Sequence, residues 1–295
     1  MAKSKVYFTM AITPDSLLRI YKALGRELRG NVGIKISTGE AGGHNYLKPE
    51  LIGTLVDYLN GTIVECCTAY GGSRQDPKLH WDTIKDHGFL PRFKVDIMDE
   101  FDEIEIPVHK GFHLDKDIVG EHLNHYDSLL ILSHFKGHMM GGFGGALKNI
   151  SIGVASTGGK AYIHSAGTTT DSKLCWGEHI AAQDDFLESM ADACEAVLRY
   201  VGYKNMAYVS VANRLSVDCD CDSHPAEPEM GDIGIFASLD PVALDQACYD
   251  AVKNSSDPGK AALIERMDSR HGIHTVEAAA ELGLGSREYE IVELD

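Results

Sequence analysis

The run Leu129-Leu130-Ile131-Leu132, between Ser128 and Ser133, constrains this chain more than any other feature. Consecutive apolar residues put side chains on both faces of a strand, so a strand here must be covered on both sides. Residues 32–36 and 62–67 read as further strands of this kind. Between them lie segments with helical spacing. Thr13 and Pro14 cap and start a helix that carries Leu17, Leu18, Tyr21, Leu24 and Leu28 on one face, up to Gly30. Pro49 opens another, with Leu51, Ile52, Leu55, Val56 and Leu59 inward. Buried strands alternating with amphipathic helices predict an α/β fold. Its mostly parallel sheet has helices on both faces and a ligand cleft at the strand carboxyl ends.

Further along, the pattern predicts a helix over 82–87, short strands near Val95 and over 104–108, and a helix over 116–124. A glycine-dense loop follows Gly137, and regular structure resumes with a helix over 184–200. After it come a strand over 207–212, a loop over 218–232, a strand over 233–238, a helix over 242–252, two short helices and a last strand over 289–292. The segment 218–232 is rich in charge and proline, which excludes a central strand or a helix interior. The chain reads as one large α/β unit, 1–295, with a division into two lobes near 135–150 as the alternative.

Charge narrows the partners. Lys and Arg number 27 against 44 Asp and Glu, a net charge of −17. Such a field repels phosphate backbones and anionic headgroups, so neither nucleic acid nor a membrane is expected as a partner. No apolar run approaches the roughly 18 residues of a spanning helix. Lys3 and Lys5 precede only a short, interrupted apolar stretch, and a cytoplasmic address is expected. The seven cysteines, at 66, 67, 175, 194, 219, 221 and 248, are odd in number and widely spread. Reduced sulfur follows from that setting.

Two segments concentrate chemistry. In the first, His138 to Asn149, the glycines Gly141, Gly142, Gly144 and Gly145 let the backbone approach a ligand closely, and Lys148 supplies a cation or, if desolvated, a nucleophilic amine. Leu147 and Asn149 around Lys148 break the phosphate-loop pattern, and Leu147 also breaks the dinucleotide one. A glycine turn that serves packing alone competes evenly with a ligand loop. In the second segment, Cys219 and Cys221 flank Asp220, with Asp218, Asp222 and His224 beside them. Two thiols among carboxylates offer soft ligands for iron-sulfur, zinc or copper, to be completed from elsewhere by Cys175, Cys66, Cys67, His138 or His164. The carboxylates disfavour a free reactive thiolate there. The competing reading is a surface loop with two incidental thiols.

Several stretches together resemble the family known as domain of unknown function 362. They are VGIK from Val32, YGGSR from Tyr70, the loop from His134 to Asn149, IHS from Ile163, CDC from Cys219, and DIGIFASLDPVALDQ from Asp232. Members are described as iron-sulfur-associated, and many append a ferredoxin-like segment. No cysteine follows Cys248 here, so a cluster would draw on Cys219, Cys221 and their neighbours. More distantly, the loop is similar to that of the nickel-pincer lactate racemase family. There a histidine precedes a lysine by ten positions and another follows by sixteen, as His138, Lys148 and His164 do. That likeness implies a cofactor anchored on Lys148 and nickel ligation by His164. Gly144 and Leu147 stand where that family has Ser and Arg, Ile152 replaces its proline, and its Gly-Thr-His-Arg-Pro segment has no counterpart.

The expectation is a redox metalloenzyme. An iron-sulfur or other transition-metal centre, zinc and nickel included, uses Cys219 and Cys221 with His138 and His164. Lys148 binds a small anionic substrate, and His138 or His164 moves a proton. A redox partner protein and a homo-oligomer are compatible with this reading. The alternatives are a racemase-like isomerase with a lysine-anchored cofactor and a non-enzymatic metal-binding module.

Overall fold

The computed structural model describes residues 3–294. In chain order the elements are β1 (Ser4–Thr9), α1 (Pro14–Ala23), β2 (Val32–Lys35), α2 (Pro49–Leu59), β3 (Thr62–Glu65), α3 (Pro77–Asp86) and β4 (Val95–Ile97). Then follow β5 (Glu103–Pro107), β6 (Lys116–Gly120), β7 (Ser128–His134), β8 (Lys136–His138), β9 (Gly142–Gly144), α4 (Ala146–Val154), α5 (Thr157–His164) and α6 (Gln183–Val201). The chain closes with β10 (Met206–Ala212), β11 (Gly234–Ser238), α7 (Pro241–Asn254), α8 (Lys260–Ser269), α9 (His274–Glu281) and β12 (Tyr289–Glu293).

An open sheet of 8 strands runs in the order β12-β1-β11-β10-β7-β2-β3-β4. Its pairs are parallel except for the two made by β11. The apolar run sits in the middle of it and does what its composition requires. Leu129 and Ile131 enter the core beneath α4, α6 and α7, while Leu130 and Leu132 enter the opposite core beneath α1 and α2. β10 repeats the alternation, with Met206 and Tyr208 on the first side and Ala207, Val209 and Val211 on the second. The α/β expectation therefore holds. No helix among the described residues is long and apolar enough to cross a membrane.

The structure differs from the sequence-based expectation at four places. Residues 116–124 are not a helix: β6 pairs antiparallel with β5, and a short 3-10 turn, Glu121–His125, follows. Ile118 and Val119 are β-branched, and Gly120 lies against the backbone of Met98, where a Cβ would collide. The segment after Gly137 is more ordered than a loop. β8 and β9 form a hairpin, and α4 and α5 follow well before residue 184. The start of α4 leaves no local trace because its cap is remote: the Asp245 carboxylate accepts the N–H groups of Ala146 (2.7 Å) and Leu147 (2.9 Å). The first strand, β1, is also absent from the sequence reading; it pairs with β11 and β12. The first helix stops at Ala23 rather than near Gly30, although Leu24 and Leu28 remain buried.

α5 is capped by Ser156, whose Oγ accepts the N–H of Gly159 at 3.0 Å. A Cβ on Gly159 would collide with the Ile118 carbonyl oxygen. Replacing Gly159 with Ala is expected to cost about 1–3 kcal/mol, as overpacking of a rigid backbone contact does. Chemical denaturation reads the loss as a lowered midpoint at unchanged slope.

Candidate functional site

From β2 the chain passes through α2 to β3 on one side, and from β7 it proceeds to β10 on the other. Such a divergence opens a crevice at the strand carboxyl ends. A cavity of about 700 Å³ lies there, reached by Lys35, Glu65, His134 and residues from the hairpin, α4, α5 and the loop 218–223.

The loop with the two cysteines is held by Asp220. Its buried carboxylate takes His134 Nδ1 at 2.8 Å and Lys136 Nζ at 2.9 Å, while its carbonyl accepts the Glu40 N–H at 2.7 Å. Burial pushes this carboxyl up, but His134 and Lys136 outweigh it and hold it far below the usual carboxylate range. Across the cavity floor, Glu65 accepts Thr38 Oγ1 at 2.9 Å and pairs with Lys35 and Arg74, both at 3.3 Å. Arg74 also reaches Glu40, which accepts the Ser73 hydroxyl and N–H.

Against this paired background Lys148 differs. It sits in the first turn of α4, half-buried and lining the cavity. Its Nζ has no hydrogen-bond or ion-pair partner among the described residues. Burial, then the charges of Lys136, Lys160 and Lys35, pull its amine down to about 7. Lys160 is buried and donates only to the Ala155 carbonyl.

The two histidines show opposite faces to this space. His138 Nδ1 accepts the N–H groups of Gly141 (2.9 Å) and Met140 (3.2 Å), so the neutral ring carries its hydrogen on Nε2. His164 Nδ1 faces the Lys160 carbonyl at 2.7 Å and donates to it, which leaves a lone pair on Nε2. The His164 ring packs between Trp176 and Phe186, at 4.8 and 4.6 Å between centroids. Burial and the Lys148 charge push His138 well down; burial, partly offset by the Lys160 carbonyl, brings His164 to about 4. Both rings are neutral at neutral pH.

The structure brings His138, Cys219 and Cys221 together, their ligand atoms all within 4.8 Å of one another, a group that could hold a metal ion. His164 stands outside that group. The two cysteines are joined as a disulfide, which corrects the expectation of reduced sulfur there. With Asp220 drawn inward, the Cα atoms of its neighbours lie 5.2 Å apart, within bridging range. The other five cysteines are free and buried. Among cysteines the cavity is lined by Cys66, Cys219 and Cys221, and Cys66 donates its thiol to the Val154 carbonyl. Among the described residues a four-thiolate cluster set is therefore not assembled at this cavity.

The glycines divide. Gly144 and Gly145 line the cavity, and Gly144 leaves room beside Lys136 and Lys148. Gly141 orients His138, and Gly142, at φ +74°, lets the hairpin turn lie against Gly272. Sequence reasoning gave no role to Lys35, Glu65, Arg74, Lys136 and Lys160. The available signal was Lys35, a charge set inside an apolar strand.

Burial raises the Glu65 carboxyl, yet Lys35 and Arg74 outweigh it and bring it from 4.5 to about 2. Stability from this group is complete above pH 4.5 and is lost as the pH falls through about 2. Acid titration of unfolding should be visibly flatter over that window in Glu65→Gln than in the parent.

The sequence profile described as Domain of unknown function (DUF362) matches residues 32–250. Among solved structures, the lactate racemase apoprotein from Thermoanaerobacterium thermosaccharolyticum aligns at TM-score 0.48 and 14% identity, covering 86% of this chain and 58% of that one. A protein from Thermotoga maritima aligns at TM-score 0.48 and 12% identity, covering 81% and 58%. The chain thus spans less than two thirds of either structure. A search of curated proteins gives no match. With 32–250 matched, the chain belongs to the family described as domain of unknown function 362.

Proposed function

We propose that the protein is an enzyme that binds a small anionic substrate in this cavity and acts on it by proton transfer. The observation that carries the reading is the unpartnered Lys148 ammonium. Glu65 and Glu40 are taken up by Lys35 and Arg74, Asp220 by Lys136 and His134, and Asp218 by Arg266. Among the described residues Lys148 and Lys160 are left without a carboxylate, and an anionic ligand relieves their repulsion. The histidines then have complementary tasks. His164 Nε2 accepts a proton, and the Nε2–H of His138 donates a hydrogen bond to oxygen where negative charge develops.

A second reading, a metal-dependent redox enzyme, is favoured by the convergence of His138, Cys219 and Cys221. Once reduced, the two thiolates suit a soft ion of the zinc, nickel or copper class. His138 offers less, because ligation through Nε2 requires the two N–H groups on Nδ1 to be given up. Such a site would supply Lewis-acid or electron-transfer chemistry. Under this reading, anaerobic protein kept reduced takes up one equivalent of zinc in elemental analysis, and Cys219→Ser with Cys221→Ser abolishes it. Unchanged uptake in that variant removes the reading.

Malonate, an unreactive dianion, tests the first reading through the fluorescence of Trp176, which lines the cavity. Its affinity should fall as the pH rises through about 7, where Lys148 loses its charge. Lys148→Met should weaken binding roughly tenfold, the about 1.4 kcal/mol expected of one charged hydrogen bond, and abolish that pH dependence. Binding that is flat with pH and unaffected by the substitution counts against the reading.

A further inference from the structure

We infer that Lys148 is a nucleophilic amine that forms an imine with a 2-oxo acid. The inference rests on the anion-binding reading and adds a covalent step to it. Lysines are common in the cavity, but their states differ. Lys35 Nζ donates to the Ile36 carbonyl and pairs with Glu65, Lys136 Nζ is held by the His134 carbonyl and Asp220, and Lys160 Nζ donates to the Ala155 carbonyl. Lys148 alone of the four has a terminal amine with no bond to give up. Burial, then the neighbouring cations, bring it down to about 7, the usual route to a nucleophilic lysine.

The substrate class follows from what surrounds the amine. An electrophilic carbonyl must reach Nζ, and an anionic group beside it must answer Lys160, whose charge acts on Lys148 and whose own bond goes only to a carbonyl. A carboxylate on the carbon next to the carbonyl has that arrangement, and it is what defines a 2-oxo acid. Gly153 keeps a side chain away from Lys35, since a Cβ there would lie 3.1 Å from Lys35 Nζ, while a Cβ on Gly144 would make ordinary contact with Lys148 Cδ at 3.7 Å.

The histidines fit the proton balance. The nitrogen lone pair attacks the carbonyl carbon, a C–N bond forms, and the π electrons move to oxygen, which accepts a hydrogen bond from His138 Nε2–H. Imine formation then moves both amine protons to that oxygen, each in turn by way of His164 Nε2, as the C–O bond breaks and water leaves. No oxidant or reductant enters. His164 has its lone pair on Nε2, and it is electrostatically coupled to Lys148.

The full chain is incubated with pyruvate or 2-oxoglutarate and sodium cyanoborohydride, which reduces the imine to a stable secondary amine. Intact mass should show a single reduced adduct, and peptide mapping of the parent protein should place it on Lys148. Trapping should become faster as the pH rises through about 7, opposite to the trend of malonate affinity. Lys148→Arg should not be trapped. Lys116→Arg, which alters a surface lysine paired with Glu105, should be trapped like the parent. Malonate binding without any adduct overturns the imine and leaves the anion-binding reading standing. Adducts spread over surface lysines overturn the imine as well. Absence of both malonate binding and adduct overturns both readings.

Discussion

The Asp220 carboxylate is the interaction on which the site depends. It belongs to a loop with no regular structure, yet it is buried and answered by two groups from the end of β7 and the start of β8. Removing one partner of such a buried pair typically costs about 3–5 kcal/mol, because the remaining charge has no water to return to. The loop is fixed nearby as well: Gly137 N–H donates to the Ser216 carbonyl at 2.8 Å, and Gly137 packs so closely on Val217 that no side chain fits. These contacts bring residues from the middle and the last third of the chain into one wall.

Behind that wall, the sheet supplies the chemistry with a rigid support. β7 is buried on both faces, so a shift in its register would exchange two cores at once. Its carboxyl end, with those of β2 and β3, delivers His134, Lys35 and Glu65 to a single place. In a chain of net charge −17 the carboxylates around the cavity are largely occupied by salt bridges, which leaves cationic character at its centre.

Much of the fold was legible because it depends on local pattern. The apolar run of β7, Pro49 at the start of α2 and Pro241 at the start of α7 all act within a few residues of themselves. α4 was not legible, because the group that starts it lies almost a hundred residues away. Of the site, the spacing of His138, Lys148 and His164 and the cysteine pair stood out, and the structure lines one cavity with all five. Lys35, Arg74 and Lys160 did not stand out, since each comes from a different element and no spacing joins them. In the sequence, Asp220 is only one of several carboxylates that disfavour a thiolate beside it. Its pairing with Lys136 and His134 required the third dimension.

The remote cap of α4 bears on biosynthesis. As the polypeptide leaves the ribosome, residues 146 and 147 emerge long before Asp245, and until then the first turn of that helix has two unanswered amide groups. The first turn of α4, which carries Lys148, is therefore capped only after more than four fifths of the chain has been made.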